Sequence, residues 1–125
     1  SDGIPFSEGR AHPRGAGTFA RILGHYVRER GVLPLMDGVR KMTLMPAQRL
    51  EAIAPGMASK GRVQVGADAD LTLFDPDRVV DRATYDAPDR YSEGIVHVLV
   101  SGTFVVRDET LVDGVAPGEA IRAGS

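Results

Sequence analysis

A change of period partway along the chain is the strongest constraint on its fold. Residues 16–54 carry apolar side chains at helical spacing, and from residue 61 onward the spacing falls to two. In AGTFARILGHYVRERG, Phe19, Ile22, Leu23, Tyr26 and Val27 fall at i, i+3, i+4, i+7 and i+8, one stripe about 100° wide. Arg21, Arg28, Glu29 and Arg30 take the opposite face, and Gly31 supplies a left-handed stop. Two shorter helices are predicted next. Pro34 opens the first, with Leu35, Val39 and Met42 inward, and Gly38 weakens its middle by about 1 kcal/mol relative to Ala. Thr43 to Met45 break it, because residues ahead of Pro46 are pushed out of the helical region. Pro46 then opens the second, with Leu50 and Ile53 inward and Gly56 near its end.

The segments GRVQVG, ADLTLFD, GIVHVLV and TFVVRD are short, rich in β-branched and aromatic residues, and punctuated by Gly and Asp. They read as strands, with TLVDG as a last short one. Ser101-Gly102 supplies a hairpin turn between two of them. DPDRVVDRATYDAPDRYSEG is too long and polar for a tight turn and is predicted to wrap over the surface. The fold class is therefore α+β. Helices that precede the strands rather than alternating with them supply no parallel sheet of their own. A few strands without return partners leave sheet edges open. The architecture expected is the end of something larger.

Composition narrows the function classes. The 125 residues suffice for one domain, and 15 basic against 17 acidic side chains are mixed along the chain, for a formal charge of −2. No basic stripe points to a nucleic-acid partner. Without cysteine there is neither a disulfide framework nor a thiolate metal site. No apolar run is long enough to span a bilayer, so no membrane partner is expected. The default address is the cytoplasm, with an upstream leader left open. His12, His25 and His97 match no metal-ligand spacing, and no glycine-rich phosphate loop is present. His25 reads as a packed or half-exposed helix residue and His97 as one partner in a strand's alternation.

The ordered set SDG, HPRGAGTFARILGHYVRERG, VRKMTLMPAQRL, GRVQVGADADLTLFDPDRVVDRATYDAP, GIVHVLVSGTFVV and GVAPGEAIRAG resembles the C-terminal end of the N-acyl-D-amino-acid deacylases, or D-aminoacylases. These belong to the metal-dependent amidohydrolase superfamily. KMT…PA and G…G.DADL..FD resemble the superfamily at large, whereas HPR…GTF.R.LG.YVRE and D.ATYD.P resemble the D-aminoacylase branch. The resemblance implies a TIM-like (β/α)₈ barrel beside a small β-sandwich. Residues 1–54 would be the end of barrel strand eight, the active-site loop and outer helices, and residues 55–125 the C-terminal strands of the sandwich. The partners implied are the N-terminal barrel and sandwich strands and a small N-acyl amino acid, with a homo-oligomer also open.

The resemblance also implies the chemistry. Zinc in the full-length enzyme polarises the amide carbonyl and activates water. A carboxylate after strand eight takes a proton from that water and returns one to the departing amine. Asp2 is the residue that matches this role, and it is also a possible metal ligand in the full enzyme. Ser1-Asp2-Gly3 alone is equally turn chemistry. His12 and Arg14 of HPR are candidates for holding the substrate carboxylate, since Arg grips carboxylates bidentately. A loop-structuring turn accounts for the same three residues. The metal ligands would lie upstream of Ser1, so no metal is expected on this chain alone, and no hydrolysis from residues 1–125 in isolation. Two alternatives stay open: a dihydroorotase- or hydantoinase-like sibling, and a non-catalytic α+β oligomerisation module.

Overall fold

The computed structural model describes residues 11–124, so Asp2 lies outside the described residues. The architecture is α+β, and the chain forms two compact units interleaved in sequence. Residues 1–38 with 74–95 make one, and residues 39–73 with 96–125 the other.

In the first unit, helix α1 (Arg14–Arg21) runs straight into a π-helical stretch, Ile22–Glu29. The Arg30 N–H donates to the His25 carbonyl five residues back, at 2.9 Å. Gly31 then takes φ +58°, the left-handed stop that the sequence predicts. The buried face shares Leu23 with the predicted stripe, whose Ile22 and Val27 are half-buried. It consists of Gly17, Ala20, Leu23 and Gly24, while Phe19 and Tyr26 are 52% and 43% exposed. Two causes combine. From Ile22 onward a π-turn holds more residues than an α-turn, which turns Tyr26 away from the line of Leu23. The small residues also make a groove that backbone can enter.

Residues 79–81 fill that groove. A Cβ on Gly24 would stand 2.5 Å from the Val79 carbonyl oxygen, and one on Gly17 would stand 3.1 Å from the Asp81 Cβ. Arg28 Nη1 donates to the Val79 and Pro76 carbonyls at 2.7 and 3.0 Å, tying the helix to the segment across it. Val80 and Glu93 exchange both backbone hydrogen bonds as an isolated antiparallel bridge. The segment expected only to wrap the surface therefore contributes Val79, the most deeply buried side chain among the described residues. Helix α2 (Leu35–Met42) begins just after Pro34. Its Gly38 is buried because a Cβ there would meet Val27 Cγ2 at 3.2 Å, which accounts for a weak helix former at that position.

In the second unit, helix α3 (Leu44–Leu50) starts two residues earlier than Pro46 predicts. The break shrinks to Thr43, at φ −126°. Pro46 sits in the first turn, where a missing N–H costs nothing. Ala47 is the buried residue of this helix; Leu50 and Ile53, expected inward, are exposed. The close neighbour is backbone, since a Cβ on Gly61 (φ +69°) would lie 2.6 Å from the Thr43 carbonyl oxygen. A 3₁₀ turn (Pro55–Ser59) follows.

The sheet contains β1 (Leu71–Phe74), β2 (Ile95–Val100), β3 (Thr103–Arg107) and β4 (Thr110–Leu111), in the order β1-β2-β3-β4. Pairs β2–β3 and β3–β4 are antiparallel, with a register shift between Val98 and Leu99. Ser101 and Gly102 turn at φ +49° and +76°, both left-handed, as a two-residue hairpin requires. Asp108 and Glu109 repeat that geometry between β3 and β4. GRVQVG is not a strand. Gly61 and Gly66 bend its two ends through positive φ, and Val63 and Val65 stand fully out in solvent.

Candidate functional site

His12, Pro13 and Arg14 form the turn that starts α1. The Gly15 and Gly17 N–H groups donate to the His12 and Pro13 carbonyls at 3.0 and 2.9 Å. The Arg14 N–H donates to His12 Nδ1 at 3.0 Å, so the imidazole satisfies an amide that a helix start leaves unpartnered. His12 Nε2 stands 3.2 Å from the Tyr85 hydroxyl, and the two rings meet edge to face with centroids 5.1 Å apart. Ser92 Oγ donates to the Ala16 carbonyl at 3.3 Å, a second link from the 74–95 segment to this helix. The structure thus brings His12 and Arg14 onto one turn and adds Tyr85 beside them.

Tyr85 is the residue that reading the sequence missed in this role. ATYD marks the D-aminoacylase resemblance, but nothing in its spacing pairs it with a histidine 73 positions earlier.

The other histidines are spent locally. His25 Nδ1–H donates to Glu29 at 2.9 Å one turn on, a bond that lowers the Glu29 pKa. His97 Nδ1 accepts the Asp108 N–H at 3.1 Å, helping to hold the β3–β4 turn. Among the described residues, no three His, Cys, Asp or Glu side chains come together in a way that could hold a metal ion.

Lys60 forms a charge cluster with the two aspartates of GADADL. Lys60 Nζ reaches Asp68 and Asp70 at 2.8 and 2.6 Å. Ser59 Oγ donates to Asp68 at 2.7 Å, and the Ser101 N–H donates to Asp70 at 2.8 Å. The Lys60 bond is the main reason both carboxyls lie below their ordinary range, with Ser59 and the Ser101 amide adding to it. The same bonds raise the lysine. Every member carries its charge and is paired, which suits a fastener between segments better than proton transfer. Arg62 and Glu51 pair nearby.

The family model described as "Amidohydrolase family" matches residues 1–106. N-acyl-D-glutamate deacylase of Alcaligenes xylosoxydans xylosoxydans is 50% identical over 105 residues, covering 84% of this chain and 20% of that protein. D-aminoacylase of the same organism is 45% identical over 109 residues, covering 87% of this chain and 21% of that protein. D-hydantoinase of Geobacillus stearothermophilus is more distant, 32% identical over 127 residues, with 86% of this chain and 27% of that protein covered. Among solved structures, N-acyl-D-glutamate deacylase from Bordetella bronchiseptica, complexed with zinc and a phosphonate that mimics the tetrahedral intermediate, superposes with a TM-score of 0.76. It is 43% identical, and the match spans 91% of this chain and 23% of that one. The chain thus spans about a fifth of the length of the deacylases it matches. A family match over most of its residues, joined to a shared fold at this level of identity, makes the chain a member of the amidohydrolase family.

Proposed function

We propose that residues 1–125 are the C-terminal part of a metal-dependent hydrolase that cleaves N-acyl-D-amino acids to a carboxylate and a free D-amino acid. The observation that carries this reading is identity of 50% and 45% to two enzymes named for such deacylation, each spread over more than four fifths of the chain. In this reading residues 1–54 close a (β/α)₈ barrel and residues 55–125 belong to a β-sandwich beside it. Barrel enzymes assemble their sites from the loops after the strands, which is where Asp2, His12 and Arg14 would lie.

Asp2 is the proposed general base and acid. It takes a proton from the attacking water and returns one to the amine nitrogen, which could not depart as an anion. A carboxyl group suits both halves of that cycle because burial and neighbours bring its pKa toward neutrality. Arg14 is proposed to grip the substrate carboxylate, with His12 bracing the turn that presents it. Zinc is proposed for the full-length enzyme, as in the Bordetella relative.

The test is a substrate panel on the purified full-length protein: N-acetyl-D-glutamate, N-acetyl-D-methionine, their L-forms and a hydantoin. Release of D-amino acid with L-forms untouched is expected. The match to D-hydantoinase favours ring opening as a second reading, and cleavage of the hydantoin alone would select it. A stable dimer that hydrolyses nothing would select the oligomerisation module.

A further inference from the structure

The hydrogen bonds where the His-Pro-Arg turn meets residue 85 can be counted donor by donor. The Arg14 amide donates to His12 Nδ1, so that nitrogen is the acceptor and the neutral ring carries its proton on Nε2. Nε2–H points at the Tyr85 oxygen, 3.2 Å away. The phenol therefore accepts from His12, and its own O–H remains available to donate. Tyr85 is 77% exposed, and among the described residues no acceptor takes that proton. The ring is nonetheless held in place. It packs edge to face on His12, and the turn beneath it is closed by the Thr84 N–H on the Ala87 carbonyl and the Ala87 N–H on Thr84 Oγ1, at 3.1 and 3.0 Å. Accepting one hydrogen bond polarises a hydroxyl and strengthens the bond it donates.

We infer that Tyr85 is a substrate-binding residue: its hydroxyl, braced by His12, donates a hydrogen bond to the carboxylate of the N-acyl-D-amino acid. The inference rests on the deacylase reading above and adds a recognition element from a segment 73 residues away from the loop it serves. A carboxylate is the fitting acceptor because a neutral donor gains most from an ionised oxygen. The phenol also distinguishes this site from a point charge, since it supplies direction.

The experiment is Tyr85→Phe in the full-length enzyme, which keeps the ring contact with His12 and removes only the hydroxyl. The Michaelis constant for an N-acetyl-D-amino acid should rise roughly ten- to a hundredfold, with kcat within about twofold. The corresponding neutral amide of the substrate should lose markedly less, because its carbonyl oxygen accepts only a neutral hydrogen bond. Tyr91→Phe, an exposed tyrosine in the same segment, should leave both constants unchanged. An unaltered Michaelis constant in Tyr85→Phe, an equal loss on the neutral substrate, or the same loss in Tyr91→Phe each overturns the inference. Wild-type enzyme that hydrolyses no N-acyl-D-amino acid overturns the deacylase reading and this inference with it.

Discussion

Gly24 has no space for even one more carbon. Its missing Cβ would overlap the Val79 carbonyl oxygen, a backbone atom held in turn by Arg28. Gly24→Ala gains helix propensity of at most about 1 kcal/mol but forces the 79–81 segment off the helix, an overpacking that costs about 1–3 kcal/mol. The expected outcome is net destabilisation of about 1–2 kcal/mol, read as a lower denaturation midpoint of the full-length protein. Gly31→Ala makes a useful contrast. Nothing lies within 4 Å of its missing Cβ, so any loss there comes from its positive φ alone.

Among the elements, the β2–β3 hairpin is the most local in origin. Ser101→Asn would install the asparagine-glycine pair that a turn with two left-handed residues prefers. Amide exchange over residues 95–107 should slow by a fewfold, and an acceleration would show that the Ser101 turn is held by something other than its backbone geometry. The Lys60 cluster makes a pH-dependent fastener, and its sign follows from the shifts. The two carboxyls are lowered on folding, so their contribution is present above about pH 4, the unfolded value, and is lost as pH falls through the folded values. The lysine is raised, so its contribution is present below about pH 10 and is lost as pH rises through the folded value. Lys60→Met should lower the thermal midpoint at pH 7, and the gap from wild type should close as the pH falls below about 4.

What the sequence made legible at this level follows from where the information sits. Alternation and Ser101-Gly102 specify the hairpin within a dozen residues, so β2 and β3 are readable directly. The buried face of the first helix is not, because Gly17, Ala20 and Gly24 bury themselves through small size, which carries no hydrophobic signal. Of the apolar side chains that carried the signal, Leu23 is buried, whereas Phe19 and Tyr26 are exposed. GRVQVG alternates like a strand, yet alternation is only half of a strand, and the other half is a neighbour to pair with. The HPR turn was legible as a motif; its contact with Tyr85 depends on how the 74–95 segment folds back, which no local pattern encodes.

For the whole molecule, the described residues lack a metal cage, while a solved relative holds zinc. On the proposed function, chelation should abolish the activity of the full-length protein, and added zinc should restore it. Residues 1–125 purified alone should release no D-amino acid even with zinc supplied. The most direct measurement of the central claim is the steady-state rate of the zinc-loaded full-length enzyme with Asp2→Asn, on N-acetyl-D-glutamate or N-acetyl-D-methionine, whichever the wild type prefers. If Asp2 moves both protons, as proposed, its loss should lower kcat by about a thousandfold, within the range such catalysis contributes, at unchanged metal content and thermal midpoint. A variant that turns over at the wild-type rate would contradict the account.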